Sequence, residues 1–217
     1  MKKNKFNNKI SNFYKKKIND FYYKQSKIKK LRSRAWFKLD QINKKEKIFY
    51  SGMNVIDLGS YPGSWSQYVI NKIKKNGNLL SCDLLPMKNI SYNRFKFIQG
   101  NIIDKLTIKK ILKHFNNKGV NIIISDMSPN ISGISYIDNY NTIKLFNAAF
   151  NICKKLLSFN GYFLIKIFQN NSFSKYIKKI KNFFLKIKIC KPKSSKSYSK
   201  EIYILAKKYL IKNIIKD

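Results

Sequence analysis

Lys166 stands inside the apolar run GYFLIKIF, and an ammonium left unpaired in a buried strand carries a large desolvation cost, so a carboxylate partner is expected. Asp126 closes the apolar segment NIIIS, and Glu201 opens the last strand-like segment, which makes both available as partners at one edge of a sheet. Lys38, on a helix-like segment ahead of the core, is the best candidate for a fourth member. Two lysines and two carboxylates converging in this way can position a weakly acidic proton, accept it, and stabilise the oxyanion left behind. The alternative for Lys166 is a stem that snorkels to water from the end of the sheet. Lys38 is one lysine among very many, so its own sequence context says little.

A second set of acids marks strand ends. Asp57 lies in VIDLGSYPGSW, where a strand runs into a Gly-containing turn, with Pro62 and Gly63 before the next helix. Gly59 and Gly63 stand four apart with Pro62 between them, so the G-x-G-x-x-G dinucleotide fingerprint is lacking. Asp83 ends the next strand 20 residues after Gly63, where a carboxylate can accept from both hydroxyls of a ribose. Taken singly, Asp57 and Gly59 read as an ordinary turn and Asp83 as a solvated loop acid. Their placement on successive strand ends, in a chain with only 10 acids, favours an adenosine-containing cofactor.

The elements that must carry these groups follow from periodicity. Buried strands are predicted at 54–58, 79–82, 95–99, 121–125 and 162–168, with helices at 68–74, 104–115, 140–157 and 173–184 between them. This alternation argues for an α/β, mostly parallel, doubly wound sheet. Two further strands, 185–190 and 202–206, are joined by about a dozen Lys- and Ser-rich residues, so they read as an antiparallel pair. The last strand then begins where the others end, which puts Glu201 at the ligand-binding edge. Ser33 is the expected N-cap of a helix over 34–46, and residues 1 to 30 show no sustained periodicity. The chain divides into a basic arm over 1–30, one catalytic domain over 31–208 and a basic tail over 209–217.

Composition bounds the partner. Forty-six Lys and Arg against 10 Asp and Glu give a net charge of +36 in 217 residues, which favours a polyanion such as nucleic acid. Part of that charge reflects a general bias toward Lys, Asn, Ile, Phe and Tyr, so its sign is more informative than its size. The arm, with Arg32 and Arg34, is expected to contact phosphates. Three well-separated cysteines and one histidine, His114, suggest neither a disulfide framework nor zinc, and exclude Ser-His-Asp and Cys-His schemes. No apolar stretch reaches the length of a membrane span, and a soluble, monomeric cytoplasmic protein without a metal requirement is expected.

Six ordered blocks carry a family resemblance: LRSRAWFKLD (31–40), the segment around DLGSYPGSWSQYV, CDLLPM (82–87), SDMSPNISG (125–133), the GYFLIKIFQ strand and SKEIYILA (199–206). Together they are similar to the FtsJ (RrmJ-type) ribosomal RNA large-subunit 2′-O-ribose methyltransferases, over nearly everything from Leu31 to Ala206. The resemblance implies a Rossmann-like S-adenosylmethionine-dependent methyltransferase fold, a seven-stranded, mostly parallel sheet with an antiparallel last strand. It implies S-adenosyl-L-methionine as cofactor and ribosomal RNA in the large subunit as substrate, methylated at a uridine ribose in its peptidyl-transferase region. Lys38, Asp126, Lys166 and Glu201 match the family's Lys-Asp-Lys-Glu tetrad. Gly63, Trp65, Asp83 and Asp126 match cofactor positions, and Asn101 stands where the family usually has Asp, so it offers adenine a carbonyl without charge. The loop also departs, with Ser60, Tyr61 and Ser64 in place of small residues. On this reading Lys166 is the general base, oriented by Asp126 and Glu201, with Lys38 favouring its neutral form or stabilising the alkoxide. The alternatives are a ribose methyltransferase of transfer RNA and a non-catalytic ribosome-assembly factor on the same fold.

Overall fold

The computed structural model describes residues 20–115, 119–130, 132–169, 173–196 and 198–211. Its elements in chain order are α1 (Phe21–Ile28), α2 (Trp36–Glu46), β1 (Asn54–Leu58), α3 (Ser64–Ile73), β2 (Asn78–Asp83), β3 (Phe95–Gln99), α4 (Lys105–Phe115) and β4 (Val120–Ser125). Then follow α5 (Ser135–Leu156), β5 (Leu157–Phe168), α6 (Phe173–Ile180), a 3₁₀ turn (Lys181–Phe183), β6 (Phe184–Cys190) and β7 (Glu201–Tyr209). Seven strands form one sheet in the order β3-β2-β1-β4-β5-β7-β6. The first five pair in parallel, while β7 is antiparallel to both β5 and β6. The expected antiparallel pair is therefore present, with β7 inserted between β5 and β6.

Two apolar layers flank the sheet, as a parallel sheet buried on both faces requires. Alternate residues divide between them, because successive side chains of a strand point to opposite faces. Ile56, Leu58, Ile123, Phe163 and Ile165 pack in one cluster with Ile111, Phe146, Phe150 and Tyr176 from α4, α5 and α6. Val55, Ile122, Ile124, Leu164, Tyr203 and Leu205 pack in the other with Leu39, Ile42, Trp65 and Val69 from α2 and α3. Continuing that parity places positions 126, 166 and 201 on the face covered by α2, the helix that carries Lys38.

Register then aligns them along the edge. Leu58 pairs with Cys82 and with Ser125, and Ser125 pairs with Ile165. One residue further along each strand, Asp83, Gly59, Asp126 and Lys166 form a row, and Lys166 itself pairs with Tyr203. The row straddles β1 and β4, whose chains leave toward opposite sides of the sheet. This is the point of strand-order reversal, where α/β sheets bind ligands.

Several predicted boundaries shift for identifiable reasons. α2 starts at Trp36 without a side-chain cap, because the Ser33 hydroxyl bonds Ala35 N at 3.2 Å and pairs with the Ser64 hydroxyl at 2.7 Å. α3 starts one turn earlier than predicted, at Ser64. Its first residues Ser64 and Ser66 are buried through paired hydroxyls, a signal invisible to apolar periodicity. Part of the expected irregular arm is helix α1, capped by Asp20, which accepts from Tyr23 N at 3.0 Å. Residues 1–19 lie outside the described residues.

The two arginines expected to meet phosphate have other work. Arg32 donates to the carbonyls of Pro62 (3.1 Å), Lys88 (2.7 Å) and Asn89 (2.6 Å). Arg34 bonds Asp20 and the Ser194 carbonyl, joining α1, α2 and the β6–β7 loop. Arg34 thus has a countercharge in Asp20, while the charge of Arg32 is met by carbonyls alone, two of them at the exposed surface. Among the described residues no helix is long and apolar enough to cross a membrane.

Candidate active site

At the row's right-hand end the four tetrad side chains come together. Lys166 Nζ lies 3.1 Å from Asp126 Oδ1 and donates to the Asp126 carbonyl at 2.5 Å. Lys38 Nζ contacts Glu201 at 2.8 Å and stands 4.0 Å from Asp126 Oδ1. Their side chains are 8% (Lys166), 12% (Glu201), 13% (Lys38) and 16% (Asp126) exposed, little enough that water screens the pairs weakly. Lys166 therefore has its partner and is not a snorkelling strand residue. The partner set differs from expectation in one respect: Glu201 engages Lys38 rather than Lys166. The cause is register, since Tyr203 is opposite Lys166 while Glu201 is opposite Phe168, one pleat repeat outward and beneath α2.

Tyr203 joins the two pairs, and sequence reasoning missed it. Its hydroxyl lies 2.8 Å from Asp126 Oδ1 and 3.3 Å from Glu201 Oε1. Burial, reinforced by the charges of Asp126 and Glu201, pushes the phenol well above its usual range, so it remains a donor at neutral pH. Its i+2 spacing from Glu201 on an edge-facing strand was the available signal. Ser195 adds a further hydrogen bond, donating to Glu201 at 2.8 Å. Burial acts to raise the Asp126 carboxyl, but the positive charges of Lys166 and Lys38 and the bonds from Tyr203 and Lys166 outweigh it and hold it below the ordinary carboxylate value.

Asp126 also lines the neighbouring cleft, of about 230 Å³, together with Gly59, Asp83, Leu84, Gly100, Asn101 and Met127. Asp83 accepts from Tyr61 N at 2.8 Å through one oxygen and from Leu85 N at 2.9 Å through the other. Each oxygen keeps a second acceptor direction. The Asn101 side-chain amide oxygen accepts from Ile103 N at 3.0 Å, so any further donor shares that oxygen. Gly63 and Trp65 do not line this cleft. A Cβ on Gly63, whose φ is +100°, would meet Arg32 Nη1 at 2.5 Å and Met87 Sδ at 2.6 Å. Trp65 is buried, donates from Nε1 to the Ala35 carbonyl at 2.9 Å and packs on Tyr203 with ring centroids 5.7 Å apart.

Beneath the turn, Asp57 accepts from the Ser66 hydroxyl at 2.6 Å through Oδ2, while Oδ1 and the buried Ser60 hydroxyl have no partner among the described residues. Burial pushes Asp57 up to about 7 against the Ser66 hydrogen bond, with the charges of Asp126 and Asp83 adding to the rise. Between its ordinary 3.8 and about 7 the folded chain thus holds a proton that the unfolded chain has released. Stability from this group declines as pH rises through that window and is level above it. Asp57→Asn is expected to flatten the decline, read as urea midpoints against pH. An unchanged slope would show that Asp57 ionises normally in the fold.

The fold is that of Rossmann-like S-adenosylmethionine-dependent methyltransferases. In solved structures it matches a ribosomal RNA methyltransferase from Plasmodium falciparum with a TM-score of 0.73 at 26% identity, covering 82% of this chain and 98% of that one. It also matches fibrillarin from Aeropyrum pernix, solved with S-adenosyl-L-methionine bound, with a TM-score of 0.58 at 14% identity over 78% and 72% of the two chains, a likeness of fold. The family model for FtsJ-like methyltransferase matches residues 31–209, and the chain belongs to that family. Among curated relatives, ribosomal RNA large subunit methyltransferase E of Buchnera aphidicola (from Schizaphis graminum) is 49% identical over 86% of this chain and 90% of its own length. The protein of the same name from Blochmanniella pennsylvanica is 44% identical over 91% and 94%.

Proposed function

We propose that the chain transfers a methyl group from S-adenosyl-L-methionine to a ribose 2′-hydroxyl of large-subunit ribosomal RNA, at a uridine, acting as a cytoplasmic monomer. Family membership and the relatives' names support methylation of that RNA. The single observation that carries the chemistry is the sharing of Asp126 between the cleft and the tetrad. A ligand in the cleft then presents its reacting atom beside Lys166.

The cleft suits this cofactor by its donor set. Asp83 can accept from the ribose hydroxyls, the Asn101 carbonyl from the adenine amino group, and Leu84, Leu85 and Met127 offer apolar surface to the base. Two carboxylates, Asp83 and Asp126, in a strongly basic chain also favour a cationic ligand. Gly63 and Trp65, outside the cleft lining, support the site by fixing the turn and the helix start through their packing. When bound, S-adenosyl-L-methionine supplies an activated methyl group whose departure leaves a neutral thioether. Lys166, paired with Asp126 as the ammonium, first gives a proton to solvent and then, as the amine, takes the 2′-hydroxyl proton while that oxygen bonds to the methyl carbon. Asp126 fixes the Lys166 side chain, and Lys38, held by Glu201, provides positive charge for the developing oxyanion. Alignment within such a site contributes on the order of 7–11 kcal/mol in favourable cases.

Mapping ribose methylation on undermethylated large subunits after incubation with the protein and S-adenosyl-L-methionine tests the reading. One new 2′-O-methyluridine is expected. Methylation confined to transfer RNA, or none, would overturn it. Asp83→Ala is expected to weaken cofactor binding by about 10–150-fold, the equivalent of the roughly 1.5–3 kcal/mol of a charge-assisted hydrogen bond, with RNA affinity little changed. Calorimetric titration of the folded variant measures it, and wild-type cofactor affinity would remove Asp83 from the site.

A further inference from the structure

A second concavity, of about 530 Å³, lies between the C-terminal half of α2 and the chain leaving β6, with Lys44, Lys45 and Glu46 on one wall and Lys191 and Lys193 on the other. Its acids are already compensated. Glu46, almost fully buried, is held by Lys207 at 2.6 Å and Lys188 at 2.8 Å, and Asp40 pairs with Lys44 at 2.9 Å. Six lysines (44, 45, 188, 191, 193 and 207) against these two acids leave four positive charges around the groove. Lys45 and Lys193 are exposed. Among the described residues no Phe, Tyr or Trp lines the groove. It therefore offers charge without the aromatic faces on which unstacked bases rest.

The groove is continuous with the tetrad through shared elements. Lys38 lies one helical turn before Gln41 and Ile42, which line it. The Gln41 side-chain oxygen accepts from Ser194 N at 3.0 Å and from the Ser194 hydroxyl at 3.2 Å, and the next residue, Ser195, donates to Glu201. One helix and one loop thus form a wall of the groove and a wall of the active site.

We propose that this groove holds the sugar–phosphate backbone of the RNA flanking the methylated nucleotide, a sequence-independent contact that sets the position of the target ribose. The inference rests on the functional reading above and adds a location for the substrate strand. It rests the phosphate contact on the exposed Lys45 and Lys193, since Lys44 pairs with Asp40 and Lys191 donates to the Ser199 carbonyl.

The test uses the full chain with Lys45→Glu/Lys193→Glu and, as control for net charge, Lys109→Glu/Lys110→Glu, exposed on α4 of the opposite layer. Binding of undermethylated large-subunit ribosomal RNA is measured from 50 to 200 mM salt. The groove pair is expected to lower affinity by about tenfold or more and to reduce the slope of log affinity against log salt by roughly 0.7–0.9 per lost phosphate contact. S-adenosyl-L-methionine affinity and the single-turnover rate at saturating RNA should stay unchanged while KM for RNA rises. Equal losses from the control pair would overturn the proposal, since net charge alone would explain both. So would unchanged binding of naked RNA with weakened binding of intact subunits, which would assign the groove to a ribosomal protein. Absence of methyl transfer by the wild type would defeat the functional reading, while the RNA-binding comparison would still decide the groove.

Discussion

Lys166→Ala is expected to abolish most methyl transfer while leaving S-adenosyl-L-methionine binding nearly intact. General-base catalysis contributes about 10²–10⁴-fold, and the same substitution removes a positive charge adjacent to the developing oxyanion. Lys166 reaches Asp126 and is not among the residues lining the cleft, so cofactor affinity is the internal control. Single-turnover rates on undermethylated large subunits, with enzyme in excess, isolate the chemical step from product release. Lys166→Arg separates the two roles, because a guanidinium keeps the charge but does not give up its proton in a protein. An arginine variant as slow as the alanine variant supports proton acceptance by Lys166. Near-normal turnover by Lys166→Ala would place the base elsewhere, and near-normal turnover by Lys166→Arg would reduce its part to electrostatics.

Asp126→Ala is expected to produce the largest loss of stability of any single change at the site. Removing one member of a buried pair leaves its partner's charge uncompensated, a cost of about 3–5 kcal/mol. The residual exposure of the two side chains, 8% and 16%, moves the expectation toward the lower end. The Tyr203 hydroxyl loses its nearer carboxylate acceptor at the same time. Urea unfolding gives the magnitude, and Asp126→Ala/Lys166→Met should recover about 0.5–3 kcal/mol relative to additivity by removing the stranded ammonium. Strict additivity of the two substitutions would mean that the pair is not coupled. The depressed Asp126 carboxyl also fixes a sign: its stabilising contribution is complete above the ordinary carboxylate value and is lost as pH falls through its folded value.

Lys166 and Asp126 were legible residue by residue because each contradicts its surroundings, whereas Glu201 followed from the strand order and Lys38 from the family's blocks. An ammonium in GYFLIKIF, a carboxylate closing NIIIS and acids on consecutive strand ends are costly unless paired or bound, so the primary structure alone marked them as sites. Alternation of apolar runs with helical segments also determined the class of sheet, and the short Lys- and Ser-rich connection before the last strand its antiparallel character. The family's ordered blocks pointed to the cofactor.

Pairing was decided only by the tertiary structure. Which carboxylate meets which lysine depends on the β5–β7 register and on the seat of α2 over the sheet, and neither is encoded in local periodicity. Tyr203 is an unremarkable aromatic in a strand until that register brings it opposite Lys166, where its hydroxyl bridges both ion pairs. Arg32 and Arg34 read as free charge in a basic segment. Their partners, separated by as many as 160 residues, are backbone carbonyls and, for Arg34, also the Asp20 carboxylate, which no spacing rule identifies. Gly63 and Trp65 were named from the turn alone, and only the tertiary structure shows their side positions packed against Arg32, Met87 and Tyr203. Local sequence states what a group needs, such as a countercharge, a donor or burial, and the assembled sheet and its covering helices determine which distant residue supplies it.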